Sequence, residues 1–258
     1  MDIVGLNGFA QVGKDTAGSH LVKHHGYTRY AFGDAVKAHV ALLDVRLNGT
    51  LTLGMLLGRI DGSWAAASAH RVYGPEIVRT FKVYGDAIVR GDFQDTGRTE
   101  ASLIDDLVTL DPFLDGGITV AQLLEETGGD WEAAKNHRFH GPEIRRLLQV
   151  YGTEIGRSNY GANVWTDYVA RQISQEQPQA AVLTDVRFDS EAEWVLAQGG
   201  PVVRIHRPGT GPVNGHVSEK GLRPENITTT LINDKTPQNL GRLLDETLNL
   251  SSVELLAA

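Results

Sequence analysis

Apolar and polar positions alternate between strand-like and helix-like patterns along much of the chain. Residues 3–6 form a short apolar run, and the glycine-rich segment GFAQVGKDT leads from it into apolar positions with helical spacing. This order predicts a buried strand, a turn and a helix. Further strand-like runs at 27–32, 180–183 and 229–232 also precede helical patterns, and one at 201–206 precedes a loop rich in glycine and proline. We therefore predict an α/β fold with a parallel central sheet.

The middle of the chain is predicted to be helical and contains one segment twice. Aligning residues 43–90 (copy one) with residues 110–157 (copy two) without a gap gives 23 identities in 48, where chance gives about three. In both copies Gly-Pro-Glu opens the second helix. Proline favours the first helical turn, and glutamate complements the helix dipole. The pattern predicts a duplicated helical region of about 43–175, inserted between strand-forming segments.

Composition narrows the classes of function. The chain has 258 residues, no cysteine and a net charge of −8. Absent cysteine excludes disulfides, thiolate metal sites and cysteine nucleophiles. An acidic chain argues against a broad nucleic-acid surface, so any phosphate site must be a local positive pocket. We expect no signal peptide or membrane span, and a location in the cytoplasm.

The first glycine-rich turn has the spacing of a phosphate-binding loop. Gly8 and Gly13-Lys14 match G-x4-G-K, in which backbone N–H groups hold phosphate oxygens and the lysine reaches the β- and γ-phosphates. Asp15 stands where serine or threonine usually holds magnesium, and Thr16 follows it. The sequence leaves open whether Asp15 holds the metal or its waters, or the loop itself.

The two copies differ in charge at a position where a phosphate ligand would be affected. The second helix of copy two contains RRLLQVYGTE, and copy one contains VRTFKVYGDA at the same place. Arg146 is matched by Arg79, but Thr153 is matched by Asp86. A carboxylate beside a phosphate is repulsive, so copy two is predicted to be the functional copy and copy one a scaffold.

The last third of the chain places charged residues after a predicted strand. The strand at 180–183 leads into TDVRFDSEAE, with Asp185, Arg187 and Glu191. Open α/β sheets bind ligands at the carboxyl ends of their strands. The loop at about 207–222 is rich in glycine and proline and carries Arg207, His216 and Lys220, so it is predicted to be a lid.

These pieces in this order resemble the phage-encoded deoxynucleoside monophosphate (dNMP) kinases, which are P-loop enzymes. The resemblance rests on GKDT, RRLLQVYGTE, Trp165, TDVRFDSEAE, and VVRIHRPG followed by HVSEKGL. It implies a three-layer P-loop kinase core, 1–42 with 176–258, and a dNMP-binding insertion, 43–175. The ATP residues it implies are Gly13, Lys14, Asp15, Thr16 and Ala17. The dNMP residues it implies are Val36, Lys37, Arg146, Gly152, Thr153, Trp165, Asp185, Arg187 and Glu191.

The resemblance further implies transfer of the γ-phosphoryl group of ATP to a dNMP with the help of Mg²⁺. We expect Lys14, Asp15, Arg146 and Arg187 to be catalytic, Arg207 to act from the lid, and Asp15 with Thr16 to hold the metal. Trp165 would stack on the base. ATP and a dNMP are the expected partners, together with a second copy of the chain as a homodimer.

Two alternatives remain open on the sequence alone. A P-loop kinase of another phosphorylated small molecule, of the phosphomevalonate kind, also fits GKD, Asp-x-Arg and SE-x-GL. A nucleotide-gated DNA-binding ATPase would need a basic stripe and a hydrolytic glutamate after a second strand, and the sequence shows neither. Trp165 and the RRLLQVYGTE helix favour a nucleotide over phosphomevalonate, and the acidic chain favours the absence of a nucleic-acid partner.

Overall fold

The computed structural model describes residues 1–87, 98–212 and 215–250. The end of copy one at 88–90, two predicted lid residues at 213–214 and the last eight residues at 251–258 lie outside this part. The chain divides into two compact units. The core unit is Met1–Asp34 with Trp165–Ala258, and the helical unit is Ala35–Val164. The predicted boundaries instead fall at 42/43 and 175/176.

The core unit contains a five-stranded parallel sheet. The strands are β1 (Asp2–Asn7), β2 (Thr28–Tyr30), β3 (Ala180–Val186), β4 (Val202–His206) and β5 (Thr229–Ile232), in the order β2-β3-β1-β4-β5. All four strand pairings are parallel. Both neighbours of β1 come from the far end of the chain, so the first strand lies at the centre of the sheet. The predicted α/β class with a parallel sheet is confirmed.

Helices cover this sheet and carry the chain between strands. They are α1 (Lys14–His25), α11 (Val164–Glu176), α12 (Asp189–Ala197) and α13 (Pro237–Leu248), and α2 (Phe32–Leu43) follows β2. Buried aliphatic side chains of α1, α13 and the strands form one core, because the apolar stripe of each helix faces the sheet. No helix in the described ranges is long and apolar enough to cross a membrane.

The helical unit contains the two copies. In copy one the helices are α3 (Leu53–Arg59), α4 (Trp64–Ser68) and α5 (Gly74–Ala87). After α6 (Glu100–Leu110), copy two has α7 (Val120–Glu126), α8 (Trp131–Lys135) and α9 (Gly141–Gln149). A π-helix (Val150–Arg157) and α10 (Ser158–Tyr160) continue α9. Side-chain oxygens of Thr52 and Thr119 cap equivalent helices, because this cap satisfies an otherwise unpaired N–H.

The two copies contact each other reciprocally, as the subunits of a symmetric dimer do. Asp111 Oδ1 accepts a hydrogen bond from Gly54 N at 2.7 Å, and Asp44 Oδ1 accepts one from Ala121 N at 2.8 Å. Each residue in one bond lies 67 positions from its counterpart in the other. Backbone bonds repeat the exchange: Leu47 N to Ile118 O and Leu114 N to Leu51 O; Leu53 N to Pro112 O and Val120 N to Val45 O. Such reciprocity defines an isologous, two-fold arrangement inside one chain.

The same relation extends to the helices that precede the copies. The Tyr84 hydroxyl donates to Asp106 on α6 at 2.6 Å, and the equivalent Tyr151 hydroxyl lies 2.9 Å from His39 Nδ1 on α2. The Tyr84 and Tyr151 rings meet edge to face at 6.1 Å between centroids. Equivalent residues touch each other only near a two-fold axis, so these tyrosines mark its position. Helices α2 and α6 are therefore structural counterparts, although their sequences differ.

Candidate functional site

The predicted phosphate loop joins β1 to α1 and has the backbone that such a loop needs. Gly8 and Gly13 have φ values of 143° and 106°, and Gln11 between them has 62°. A Cβ on Gly8 would lie 2.4 Å from the Ile205 carbonyl oxygen, so only glycine fits there. Gly13 precedes the first turn of α1 and offers no capping side chain. The free end of α1 is consequently suited to an anion.

Lys14 is buried beneath this loop. Its Nζ donates to the carbonyl oxygens of Gly8 at 2.7 Å and Phe9 at 2.6 Å, which fixes its side chain under the turn. Burial, and secondly the positive charge of Arg187, lower the pKa of Lys14 to about 8. Nearby carboxylates oppose this shift only partly. The loop therefore holds a cation that a bound triphosphate would stabilise.

Asp185 follows the buried part of β3, and both its oxygens accept backbone hydrogen bonds. Oδ1 accepts from Phe32 N and Oδ2 from Gly33 N, each at 2.7 Å, at the first turn of α2. Because carboxylates stabilise helix N-termini, this contact orients the start of the helix that carries Val36 and Lys37. Its role in binding the dNMP stays a prediction.

Arg187 is held from two sides at the carboxyl end of β3. Glu191, 2% exposed, accepts from the backbone N–H groups of Arg187 at 2.7 Å and Phe188 at 3.0 Å. Glu219 Oε1 lies 2.6 Å from Arg187 Nη1, and the Glu219 side chain is 7% exposed. The predicted substrate residue Glu191 thus fixes the backbone that presents Arg187, while Glu219 fixes its guanidinium group.

A cavity of about 220 Å³ opens beside these groups in the core unit. Gly8 and Phe9 of the phosphate loop line it on one side, and Glu219 with Lys220 on the other. Arg204 also lines it and donates to Asn7 Oδ1 at 3.0 Å and to the Leu222 carbonyl at 3.1 Å. Asn7, Arg204 and Glu219 did not figure in the sequence predictions. Arg204 lies in VVRIHRPG and Glu219 in HVSEKGL, so these two motifs contained the signal although neither residue was assigned to the site.

The helical unit brings two of the predicted dNMP residues, Val36 and Gly152, into contact. A Cβ on Gly152 would lie 3.4 Å from the Val36 side chain, so the π-helix packs closely on α2. Lys37 follows Val36 on α2, and Thr153 follows Gly152. Copy one has an α-helix over Gly74–Ala87 where copy two changes to a π-helix at Val150. Such π segments occur frequently at functional sites.

Arg146 makes the same contacts as its counterpart Arg79. Arg146 binds Glu143 on its own helix and donates from Nη1 to the Leu110 carbonyl at 2.8 Å. Arg79 binds Glu76 and donates from Nη2 to the Leu43 carbonyl at 2.9 Å. Both guanidinium groups are partly exposed, at 36% and 38%. The structure therefore gives both arginines a helix-tying role, and the predicted contrast between them at this position is not visible in their contacts.

The remaining predicted residues vary in exposure. Asp15 and Thr16 are exposed on the first turn of α1, and Ala17 is buried behind them. Trp165 is 2% exposed, so stacking on a base requires a rearrangement that uncovers its ring. Arg207 is exposed at the start of the predicted lid. The later lid residues Val217–Glu219 form a short 3₁₀ helix that His216 caps.

Comparison with known proteins covers the second half of the chain. Residues 129–243 match the family model described as deoxynucleotide monophosphate kinase. The resemblance to phage-type dNMP kinases is confirmed. The matched range contains copy two's second helix, Asp185, Arg187 and the predicted lid. It excludes the phosphate loop and all of copy one.

Curated relatives agree with this match. A protein of Acanthamoeba polyphaga mimivirus, provisionally described as a deoxynucleotide monophosphate kinase, is 32% identical over 111 residues, which are 38% of this chain and 58% of the relative. The deoxynucleoside-5'-monophosphate kinase of Escherichia phage T5 is 29% identical over 118 residues, 43% of this chain and 46% of the relative. The deoxynucleotide monophosphate kinase of Enterobacteria phage T4 is 26% identical over 110 residues, 42% and 46% respectively. The chain thus spans about half the length of the curated relatives it matches.

Proposed function

We propose that the protein transfers the γ-phosphoryl group of ATP to a deoxynucleoside 5'-monophosphate, giving ADP and a deoxynucleoside diphosphate. The observation that carries the proposal is the phosphate loop that closes over Lys14 at the uncapped end of α1. The parallel sheet of the core unit and the family match over 129–243 support the same activity. The phage relatives support a role in DNA precursor synthesis in the host cytoplasm.

Positioning and charge carry the proposed reaction. Lys14 binds the β- and γ-phosphates, and Arg187 stabilises the phosphoryl group as negative charge moves from donor to acceptor. The acceptor is already a phosphate anion, so the site needs no strong general base. Arg187 enters this role pre-oriented, because Glu191 holds its backbone and Glu219 its side chain. Arg207 is proposed to approach from the lid as the nucleotide binds.

The donor set at the start of α1 fits a magnesium ion. Asp15 and Thr16 offer a carboxylate and a hydroxyl oxygen, both exposed, directly after the phosphate-binding lysine. Oxygen ligands are those that Mg²⁺ prefers. A bound ion would neutralise part of the charge on the β- and γ-phosphates.

The dNMP is proposed to bind with its phosphate near Lys37 and Thr153. The close packing of Gly152 on Val36 places an ammonium-bearing helix against a turn with a hydroxyl group. A hydroxyl donates a hydrogen bond to phosphate, whereas the aspartate of copy one would repel it. Within the core unit, Asp185 holds Phe32 and Gly33 at the first turn of α2.

The experiment that tests the proposal is a coupled ATPase assay of the full chain across a panel of acceptors. The panel contains the four dNMPs, the four ribonucleoside monophosphates, phosphomevalonate and double-stranded DNA. We expect ADP formation that depends on one or more dNMPs and is indifferent to DNA. Turnover stimulated only by phosphomevalonate or only by DNA would assign the protein to another class.

A further inference from the structure

Two helices of the core unit bring three metal-ligating side chains together at the far end of α1 from the phosphate loop. His20 Nε2 lies 2.7 Å and His25 Nε2 2.8 Å from the same oxygen, Oδ1 of Asp245. The three ligand atoms all lie within 4.8 Å of one another. Lys14 and His25 begin and end α1, about 16 Å apart along its axis. The cluster is therefore separate from the nucleotide site.

The surroundings of this cluster favour a cation. His25 is 6% exposed, His20 21% and Asp245 23%, so the group is shielded but still reachable from solvent. His25 is the last residue of α1, and Asp245 lies in the last turn of α13. The C-terminal ends of helices carry partial negative charge, and here two of them meet. Beneath the cluster, Leu21 and Leu244 belong to the buried core and hold the two helices together.

We propose that His20, His25 and Asp245 form a binding site for a divalent transition metal, with Zn²⁺ the best-fitting ion. Two imidazole nitrogens and one carboxylate oxygen are a common zinc ligand set, with water in a fourth position. Around tetrahedral zinc, ligand atoms lie about 3.3 Å apart. Each neutral imidazole would present its Nε2 lone pair to the ion with its proton on Nδ1, and both rings would separate slightly from Oδ1 as the ion enters. The more exposed His20 can supply most of this adjustment.

Bound zinc would join α1 to α13 and stabilise the folded core. Glycine at position 241 allows α13 to approach α1 closely, because a Cβ there would lie 2.6 Å from His20 Nδ1. A metal that binds the folded state and not the unfolded chain raises the melting temperature by mass action. The inference does not depend on the proposed kinase activity, since none of these residues belongs to the nucleotide site.

The test uses full-length protein freed of metal with a chelator and measured without nucleotide. Thermal unfolding with Zn²⁺ at a hundredfold excess over its dissociation constant should show a melting temperature about 5 °C higher or more, and Mg²⁺ should show none of this shift. Co²⁺ should give the visible absorption bands of a tetrahedral site. Titration calorimetry should give one equivalent of zinc bound.

Matched variants distinguish zinc bound at this site from non-specific zinc binding to other histidines. His20→Ala and Asp245→Asn should each abolish the zinc shift, and His24→Ala, a neighbour outside the ligand set, should retain it. His20 is partly exposed, so its replacement leaves the core intact even where changes at His25 do not. No zinc shift in the wild-type chain, or an undiminished shift in His20→Ala and Asp245→Asn, would overturn the proposal and leave the cluster as a hydrogen-bonded link.

Discussion

Copy one and copy two have the same architecture and differ in the residues a ligand would meet. Both retain the αL aspartate that caps the other copy's helix, Asp44 and Asp111, with φ values of 44° and 46°. Both retain the tyrosine at the two-fold axis and the arginine that ties the second helix. These three side chains of the two-fold arrangement are thus identical in both copies, whereas residues that bond through backbone atoms, such as Gly54 and its counterpart Ala121, differ.

Two of the differences lie at positions predicted to bind the dNMP. The counterpart of Lys37 is Ile104, and the counterpart of Thr153 is Asp86. Among the described residues, nothing lies within 4 Å of a Cβ on Gly85, whereas its counterpart Gly152 packs on Val36. Both copies therefore share one architecture, but at position 153 copy two has a hydroxyl group where copy one has a carboxylate. We infer that copy one serves as an internal partner that completes the fold of copy two.

The largest loss of activity is expected from a change in the phosphate loop, outside both copies. It sets the scale for the changes made within the copies. Lys14→Ala should lower kinase turnover at least about 1,000-fold, because a buried cation at the β- and γ-phosphates is lost. Steady-state kinetics measures this, and thermal unfolding should show that the fold is retained. Turnover within tenfold of wild type would remove the phosphate loop from the reaction.

Placing the copy-one residue at position 153 of copy two should weaken dNMP binding. Thr153→Asp should raise the KM for the dNMP by about 100-fold, because the new carboxylate repels the phosphate of the dNMP. The KM for ATP should change little. The matched change Asp86→Thr in copy one should alter neither constant more than about twofold. Equal effects of the two variants would show that both copies bind the substrate.

The pH dependence of ATP affinity should report on Lys14. Its pKa is about 8 in the free protein, and a bound triphosphate raises the pKa. Affinity should therefore be constant below pH 8 and should weaken by up to about tenfold per pH unit above it, with proton uptake on binding. Calorimetry in buffers of different ionisation enthalpy measures this uptake. Release of protons, or none exchanged at pH 8.5, would contradict the assignment.

The two arginines should give the smallest effects and the sharpest comparison. Arg146→Ala and Arg79→Ala each remove the same partly exposed helix ties, so both should lower the free energy of unfolding by about 1 kcal/mol. Only Arg146→Ala is expected also to raise the KM for the dNMP, by several-fold, with ATP unaffected. If both variants leave this KM unchanged, Arg146 is a helix tie alone.

Local patterns in the sequence predicted the elements that depend on local physics. Apolar runs, the glycine turn and Gly-Pro-Glu indicated the strands, the loop and the second helices. The reciprocal interface between copies could not be predicted, because it pairs residues such as Gly54 and Asp111 that are distant in sequence. The equivalence of α2 and α6 could not be predicted either. Their amino-acid sequences differ, and only their contacts with Tyr151 and Tyr84 show that they are counterparts.

Side-chain partners within the site were also beyond the sequence. Asp185 and Glu191 were recognised as important positions, but their engagement with backbone N–H groups depends on how β3 meets α2 and α12. Glu219 is separated from Arg187 by 32 residues and only the fold brings them together. Motif spacing indicates which residues matter, and three-dimensional packing decides which of them hold others in place.

Hydrogen exchange of the wild-type protein with and without a dNMP tests most directly whether copy two alone binds substrate. We predict that the nucleotide slows exchange in α2 and in the π-helix at Val150–Arg157, and leaves the equivalent α6 and α5 unchanged. Equal protection of both sets of helices, or protection confined to α5 and α6, would contradict this account.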